Sequence, residues 1–221
     1  MGPVDFFADG SCIAYYPFED DLKDKSGNYP DVGYDTLSYA TWGNGRKSAN
    51  IGRLSASNIN LPMPTSGSAF SVFNNYSLSQ FTGMLFVTSA STYIGVNATG
   101  SSERWNIPGD SWPPTRTGSV QRGDQGSHIV FSFSSNIATV YVDTVPIISS
   151  SCGAISSLST LGSGASGATM NYSELRVFNR SLTQQDVERL YISEFLTRSK
   201  SVVEISSLLS TMPAALTRGF R

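Results

Sequence analysis

Sixteen consecutive residues constrain this chain more than any others. His128-Ile129-Val130-Phe131-Ser132-Phe133-Ser134 and Ile137-Ala138-Thr139-Val140-Tyr141-Val142-Asp143 are two runs rich in β-branched and aromatic residues, joined only by Ser135-Asn136. A two-residue connection between such runs specifies a tight antiparallel hairpin. The following Asp143-Thr144-Val145-Pro146 turns the chain again, so the hairpin continues as a meander. Similar short runs, alternating or apolar and bounded by Gly, Asn, Pro or Ser, recur from end to end. They predict strands at residues 12–18, 48–51, 59–61, 69–74, 83–88, 93–96, 128–134, 137–142, 145–149 and 173–179. No repeat of 20–50 residues is visible.

The chain's 221 residues suffice for one β domain, a class in which single cores reach roughly 200–250 residues. Its 15 basic and 17 acidic residues give a net charge of −2, with no basic cluster to neutralise phosphates, so nucleic acid is not an expected partner. No run of about 18 apolar residues exists to form a spanning helix, so membrane insertion is not expected either. The opening Met1-Gly2-Pro3-Val4-Asp5-Phe6-Phe7 has neither a basic start nor a long apolar run, and no signal peptide is read there.

Residues 103–126 differ from the rest. Trp105, Pro108, Trp112, Pro113 and Pro114 stand among Gly, Asp and Arg without periodicity, which predicts a long ordered loop. Its tryptophans either seal one end of a sandwich or offer rings to a sugar. Helical periodicity is confined to the C-terminal part. One helix is expected over residues 181–191, capped by Ser181, with Leu182, Val187, Leu190 and Tyr191 on its apolar side. A second, residues 201–212, carries Val202, Ile205, Leu208, Leu209 and Met212 on one stripe and stops before Pro213. These residues and Phe220 are the candidate contacts with a partner chain, the alternative being packing on their own sheet. Cys12 and Cys152 are far apart in sequence and either pair or remain free thiols.

With the strands in place, three segments resemble the concanavalin A-like jelly rolls of the laminin-G-like (LamG) type. Ala14-Tyr15-Tyr16-Pro17-Phe18-Glu19-Asp20-Asp21-Leu22-Lys23-Asp24-Lys25-Ser26-Gly27-Asn28 is similar to the family's opening strand and D-x-S-G-N turn. His128-Ile129-Val130-Phe131 with Val140-Tyr141-Val142-Asp143 is similar to its central hairpin, although Thr144 stands where the family has Gly. Ser173-Glu174-Leu175-Arg176-Val177-Phe178-Asn179-Arg180-Ser181-Leu182-Thr183 is similar to its closing strand. The resemblance implies an all-β, two-sheet antiparallel jelly-roll sandwich over residues 11–191, flanked by an N-terminal arm (1–10) and a C-terminal helical extension and tail (192–221). Asp9-Gly10-Ser11 and the tyrosine-rich strand after it are similar to LamG-like proteins of tailed bacteriophages.

The chemistry available to such a sandwich can be bounded from the acids. No carboxylate lies between Asp35 and Glu103, no charged side chain lies between Asp143 and Glu174, and no strand carries alternating acids. A glycosidase needs two convergent carboxylates, so an enzyme is not expected and no catalytic residue is named. His128 is the single histidine; two-imidazole metal sites are excluded, and a structural hydrogen bond is its expected role. Arg122-Gly123-Asp124 reads as a turn. Asp21, Asp24, Ser26 and Asn28 gather oxygen donors on one turn, either as a calcium site or as ordinary Asx turns. The resemblance would add Glu174 to a structural calcium; no other cofactor is expected.

Two functions follow as expectations. The first is a non-enzymatic bacteriophage virion protein (capsid decoration, head fibre or tail-associated subunit), made in the host cytoplasm and assembled with other virion proteins and itself. The second is a carbohydrate-binding module for host-surface glycans, with Trp105 and Trp112 as stacking platforms.

Overall fold

The computed structural model of the chain describes residues 4–31, 38–41, 47–51, 61–63, 67–75, 81–88, 93–99, 102–107, 116–117, 127–153, 155, 157–163 and 170–198. Fourteen strands and one helix lie within them. The strands are β1 (Cys12–Tyr16), β2 (Ser38–Thr41), β3 (Lys47–Ile51), β4 (Leu61–Pro62), β5 (Ser68–Asn75), β6 (Phe81–Thr88) and β7 (Tyr93–Thr99). They continue with β8 (Ser102–Asn106), β9 (Arg116–Thr117), β10 (Ser127–Ser134), β11 (Ile137–Val142), β12 (Val145–Ser151), β13 (Ser157–Ser163) and β14 (Met170–Phe178), before α1 (Gln184–Arg198). One sheet runs β12-β11-β10-β5-β14-β3-β2, with β1 paired to the C-terminal half of β14; the other runs β4-β13-β6-β7-β8-β9. Every pairing is antiparallel. The all-β two-sheet sandwich expected from the sequence is therefore the observed one, with a helix near its C-terminal end.

The middle of the first sheet is buried on both faces. Phe70, Val72, Ile129, Phe131, Val140, Tyr172 and Val177 form one core with Trp105, Ile107 and Leu158 from the second sheet's segments. On the opposite face Tyr15, Ala69, Val130, Tyr141 and Phe178 pack with Leu182, Val187 and Leu190 of the helical segment. Strand β10 is accordingly buried at its first seven positions, which explains why His128–Ser134 reads as a continuous β run rather than a strict polar–apolar alternation. Helix α1 is thus a third layer, and the boundary expected at residues 191/192 falls inside it.

The helix begins later than expected. Thr183, not Ser181, is the cap: its hydroxyl accepts the Asp186 N–H at 3.2 Å, and the Asp186 carboxylate accepts the Thr183 N–H at 3.0 Å, a reciprocal capping box. Ser132 of β10 fixes the approach, its hydroxyl donating to the Leu182 carbonyl (3.0 Å) and accepting the Leu182 N–H (2.8 Å). The described part of the arm, residues 4–10, lies against this layer. Arg176 donates to the Val4 carbonyl at 3.0 Å, and Arg180 joins Asp9 (3.0 Å) to Asp186 (2.8 Å). The Phe7 ring sits 5.6 Å from Phe178 and 4.6 Å from the Arg180 guanidinium carbon.

Two expectations of the strand map are corrected. The region 103–126 is not a loop throughout: β8 and β9 pair within it, with Trp105 opposite Val96 and Arg116. Strands β2 and β13 have no counterpart in the expected list. Cys12 and Cys152 are not joined in a disulfide, and burial, the largest influence, pushes the Cys12 thiol up to about 11.

Both hairpin turns of the meander use left-handed backbone at two successive residues, Ser135 (φ +48°) with Asn136 (φ +69°) and Asp143 (φ +47°) with Thr144 (φ +76°). That is the type I′ signature whose twist suits two-residue hairpins. Asn and Asp tolerate this region, but a β-branched Thr does not. The Asp143 carboxylate supports the turn by accepting the His128 N–H at 2.8 Å. Thr144→Gly is predicted to raise stability by about 1 kcal/mol, the relief of a left-handed β-branched residue less the entropy of glycine. Urea denaturation with an unchanged m-value checks it; an unaltered or lower midpoint would refute the strain.

Candidate functional site

The edge strand β2 carries an exposed aromatic ring, that of Tyr39. Tyr39 pairs with Ala49 and Thr41 with Lys47, so Tyr39 and Lys47 stand on the same face as Ala49 and Ile51, both of which belong to the inter-sheet core. At β2 that face runs out into solvent, and Tyr39 is 38% exposed. The loop after β1 closes one side of this ledge. Asp20 pairs with Lys47, and Asp21 pairs with Lys25 at 2.7 Å. The first pair is the open one, with Asp20 74% and Lys47 51% exposed at the side chain. Partial burial, then the Asp21 and Asp20 carboxylates, raise the Tyr39 phenol above its ordinary value, so it is a neutral O–H donor in neutral solution. The hydrogen bond from Lys47 to Asp20 and their mutual attraction raise the lysine likewise. The ledge therefore offers a ring surface beside charged donors and acceptors held by one another.

The residues expected to ligate calcium do not fit a cation. Asp24 is buried, and its Oδ1 accepts the N–H groups of Tyr15 (2.9 Å) and Ser26 (3.0 Å). Its Oδ2 accepts the Ser26 hydroxyl (2.6 Å) and the N–H groups of Asn28 and Tyr29, both at 2.9 Å. Five donors fill a carboxylate that has about four lone-pair sites. Asn28 Nδ2 donates to the Ile13 carbonyl at 3.0 Å, and Ser26 Oγ, whose single proton goes to Asp24, lies 3.0 Å from the same carbonyl. Asp21 is held by Lys25 and by the Lys23 N–H at 3.2 Å.

Glu174 belongs to a different cluster. It sits at a bulge in β14, with φ +57°, and accepts the Tyr15 hydroxyl at 2.8 Å and an Arg176 N–H at 3.3 Å. Arg176 stacks 3.8 Å over the Tyr15 ring, and all three residues are essentially inaccessible. Asp24 and Glu174 thus grip opposite ends of Tyr15, its backbone N–H and its phenol, and do not converge on a shared cation.

The aromatic platforms also fall out differently. Trp105 is 0% exposed, and its ring lies 6.2 Å from Phe131 inside the inter-sheet core, so it is corrected from a sugar platform to a core residue. The physical reason is the area a tryptophan buries once β8 turns it between the sheets. Tyr15 and Tyr16 are buried as well. Trp112 lies outside the described residues, as do the partner-contact candidates Val202, Ile205, Leu208, Leu209, Met212 and Phe220 and the turn expected at Arg122-Gly123-Asp124. His128 is buried at the open end of the hairpin, opposite the Ser135-Asn136 turn, its backbone bonded to Asp143 and its ring 6.0 Å from Tyr191. Sequence reasoning missed Tyr39 because β2 is short and its flanks carry no strand signal; the tyrosine beside Ser38 and Thr41 was the available clue.

No protein-family model matches the chain, and no curated protein matches it in sequence. Among solved structures it is similar to domain 4 of AbnA, a GH43 extracellular arabinanase from Geobacillus stearothermophilus, solved in complex with arabinotriose. The TM-score is 0.59 at 22% identity, over 82% of this chain and 98% of that one. The ligand-binding domain of botulinum neurotoxin serotype D, in complex with N-acetylneuraminic acid, gives a TM-score of 0.58 at 13% identity, over 84% of this chain and 52% of that one. The binding domain of Paraclostridial Mosquitocidal Protein 1 gives 0.56 at 15%, again over 84% and 52%. The chain spans about half the length of these last two domains. These likenesses establish a shared β-sandwich fold.

The occupancy of Asp24 has two measurable consequences. Calcium or EDTA is predicted to leave the melting temperature unchanged; a calcium-dependent rise that Asp24→Ala abolishes would restore the cation site. Although burial alone would raise the Asp24 carboxyl, the hydrogen bonds from Ser26, Tyr15 and Tyr29 outweigh it and hold it below its ordinary value. A carboxyl depressed in the folded state stabilises above its unfolded value and loses that contribution as pH falls through the folded one. Asp24→Asn is therefore predicted to cost most near neutrality, about 2–4 kcal/mol for donors left without an acceptor, and progressively less below about pH 4. A pH-independent difference would refute this.

Proposed function

We propose that the chain is a non-catalytic carbohydrate-binding module that holds its ligand on the Tyr39 ledge. The observation that carries this reading is the match to nearly the whole of an arabinanase domain crystallised with an arabinose trisaccharide. The neurotoxin ligand-binding domain solved with a sialic acid supports the same class of function. The ledge supplies what sugar recognition requires: an exposed ring for the apolar face of a sugar, and fixed donors and acceptors for its hydroxyls.

The virion reading, in which the protein is a capsid or tail-associated subunit with virion partners and a particle location, rests on the opening segment's similarity to phage LamG-like proteins. The ligands bound in the neighbours' structures support sugar binding and say nothing of a particle. A sugar-binding sandwich would serve in a virion as elsewhere, so the module's chemistry is proposed independently of its setting.

A glycan array followed by titration calorimetry tests the proposal. Binding is expected, with Tyr39→Ala weakening it about tenfold for the loss of one stacking ring. Because Tyr39 is partly exposed, the same variant is expected to alter stability by no more than about 0.5 kcal/mol. Binding unaffected by Tyr39→Ala would remove the ledge as the site, and an array without any bound glycan would remove the function.

A further inference from the structure

The two sugar-complexed neighbours differ in what they hold, a neutral arabinose oligomer in one and an anionic sialic acid in the other. The charges of the ledge discriminate between these chemistries. The loop and strand that build it carry Glu19, Asp20 and Asp21 against Lys23, Lys25 and Lys47. Lys47 is paired with Asp20 and Lys25 with Asp21, while the charge of Lys23 also acts on Asp21. Among the described residues of the ledge each lysine thus faces a carboxylate, and no lysine stands ready for an anionic ligand without giving up that contact. An incoming carboxylate would have to displace Asp20 or Asp21 from its lysine and meet like charges within a few ångströms, where repulsion survives ordinary ionic strength.

A neutral polyol meets the opposite situation. Asp20 uses Oδ1 for Lys47, leaving Oδ2 as an acceptor, and the ammonium retains two N–H donors. An acceptor and a donor held side by side match two adjacent hydroxyls, with the Tyr39 ring beneath the sugar's C–H face. We infer that the ledge selects uncharged oligosaccharides bearing vicinal hydroxyls and discriminates against sialylated or otherwise acidic ones. This inference rests on the sugar-binding reading of the ledge.

The test compares arabinotriose, lactose and sialyllactose as ligands of the intact chain and of three variants, Tyr39→Ala, Asp20→Asn and Lys47→Met. The wild type is expected to bind at least one neutral sugar at least tenfold more tightly than sialyllactose. Asp20→Asn, which frees the Lys47 cation and removes a carboxylate, is expected to narrow that ratio several-fold by weakening neutral binding and admitting the acid. Lys47→Met is expected to weaken neutral binding without admitting the acid. Sialyllactose bound as tightly as the neutral sugars, and lost in Tyr39→Ala, would overturn the selectivity while keeping the sugar site. Neutral binding indifferent to all three variants would overturn the ledge as the site, and no binding of any sugar would overturn both this inference and the function on which it rests.

Discussion

Tyr15 is held at both ends, and much of the molecule's architecture meets at that one residue. Its backbone N–H is fixed by Asp24, which draws the opening loop against β1. Its phenol is fixed by Glu174 at the bulge in β14, and its ring lies under Arg176, which in turn reaches the Val4 carbonyl. A buried carboxylate and guanidinium are tolerated only when paired and hydrogen-bonded, and here the tyrosine and the arm's backbone complete the set. The cluster lies on the outer face of the first sheet, among the side chains that α1 and the arm cover. Opening strand, closing strand, arm and helix are thereby one packing unit.

The ledge follows from the same arrangement. Fixing the turn around Asp24 places the preceding Asp20 and Asp21 beside the edge of the sheet, where Lys47 and Tyr39 project from β3 and β2. Because backbone N–H groups on Asp24 anchor the loop, the exposed carboxylates of Asp20 and Asp21 are left to pair with Lys47 and Lys25. The edge strand is blunted by this covering of charge, which also discourages the strand-to-strand association that open edges invite.

Much of the fold could be read from residues whose local chemistry agrees with their tertiary role. The central hairpin is the clearest case: the expected 137–142 coincides with β11, because Ser135-Asn136 leaves a single turn geometry open. Strands such as β2, β8 and β13 were not legible, since Ser38–Thr41, Ser102–Asn106 and Ser157–Ser163 owe their conformation to pairing with neighbours rather than to their own pattern. The third layer was hidden for a related reason, because a continuous apolar strand reads the same whether a helix or a second sheet covers it. The candidate site was less legible still. A motif that brings Asp, Ser and Asn together satisfies equally a cation and a set of backbone donors, and only the folded arrangement puts those donors on Asp24. Trp105 is an aromatic among polar residues, a pattern that suits a sugar platform and a core residue alike; its place between the sheets makes it the latter.

Structure joins function in this account at one place, the exposed rim formed by Tyr39, Asp20 and Lys47. Mapping amide chemical-shift changes during titration with a neutral oligosaccharide tests it most directly. The account predicts that the largest changes fall on residues 19–21, 39–41 and 47–49, with the buried Tyr15–Glu174–Arg176 cluster silent. Changes centred on another surface of the sandwich, with that rim unaffected, would contradict it.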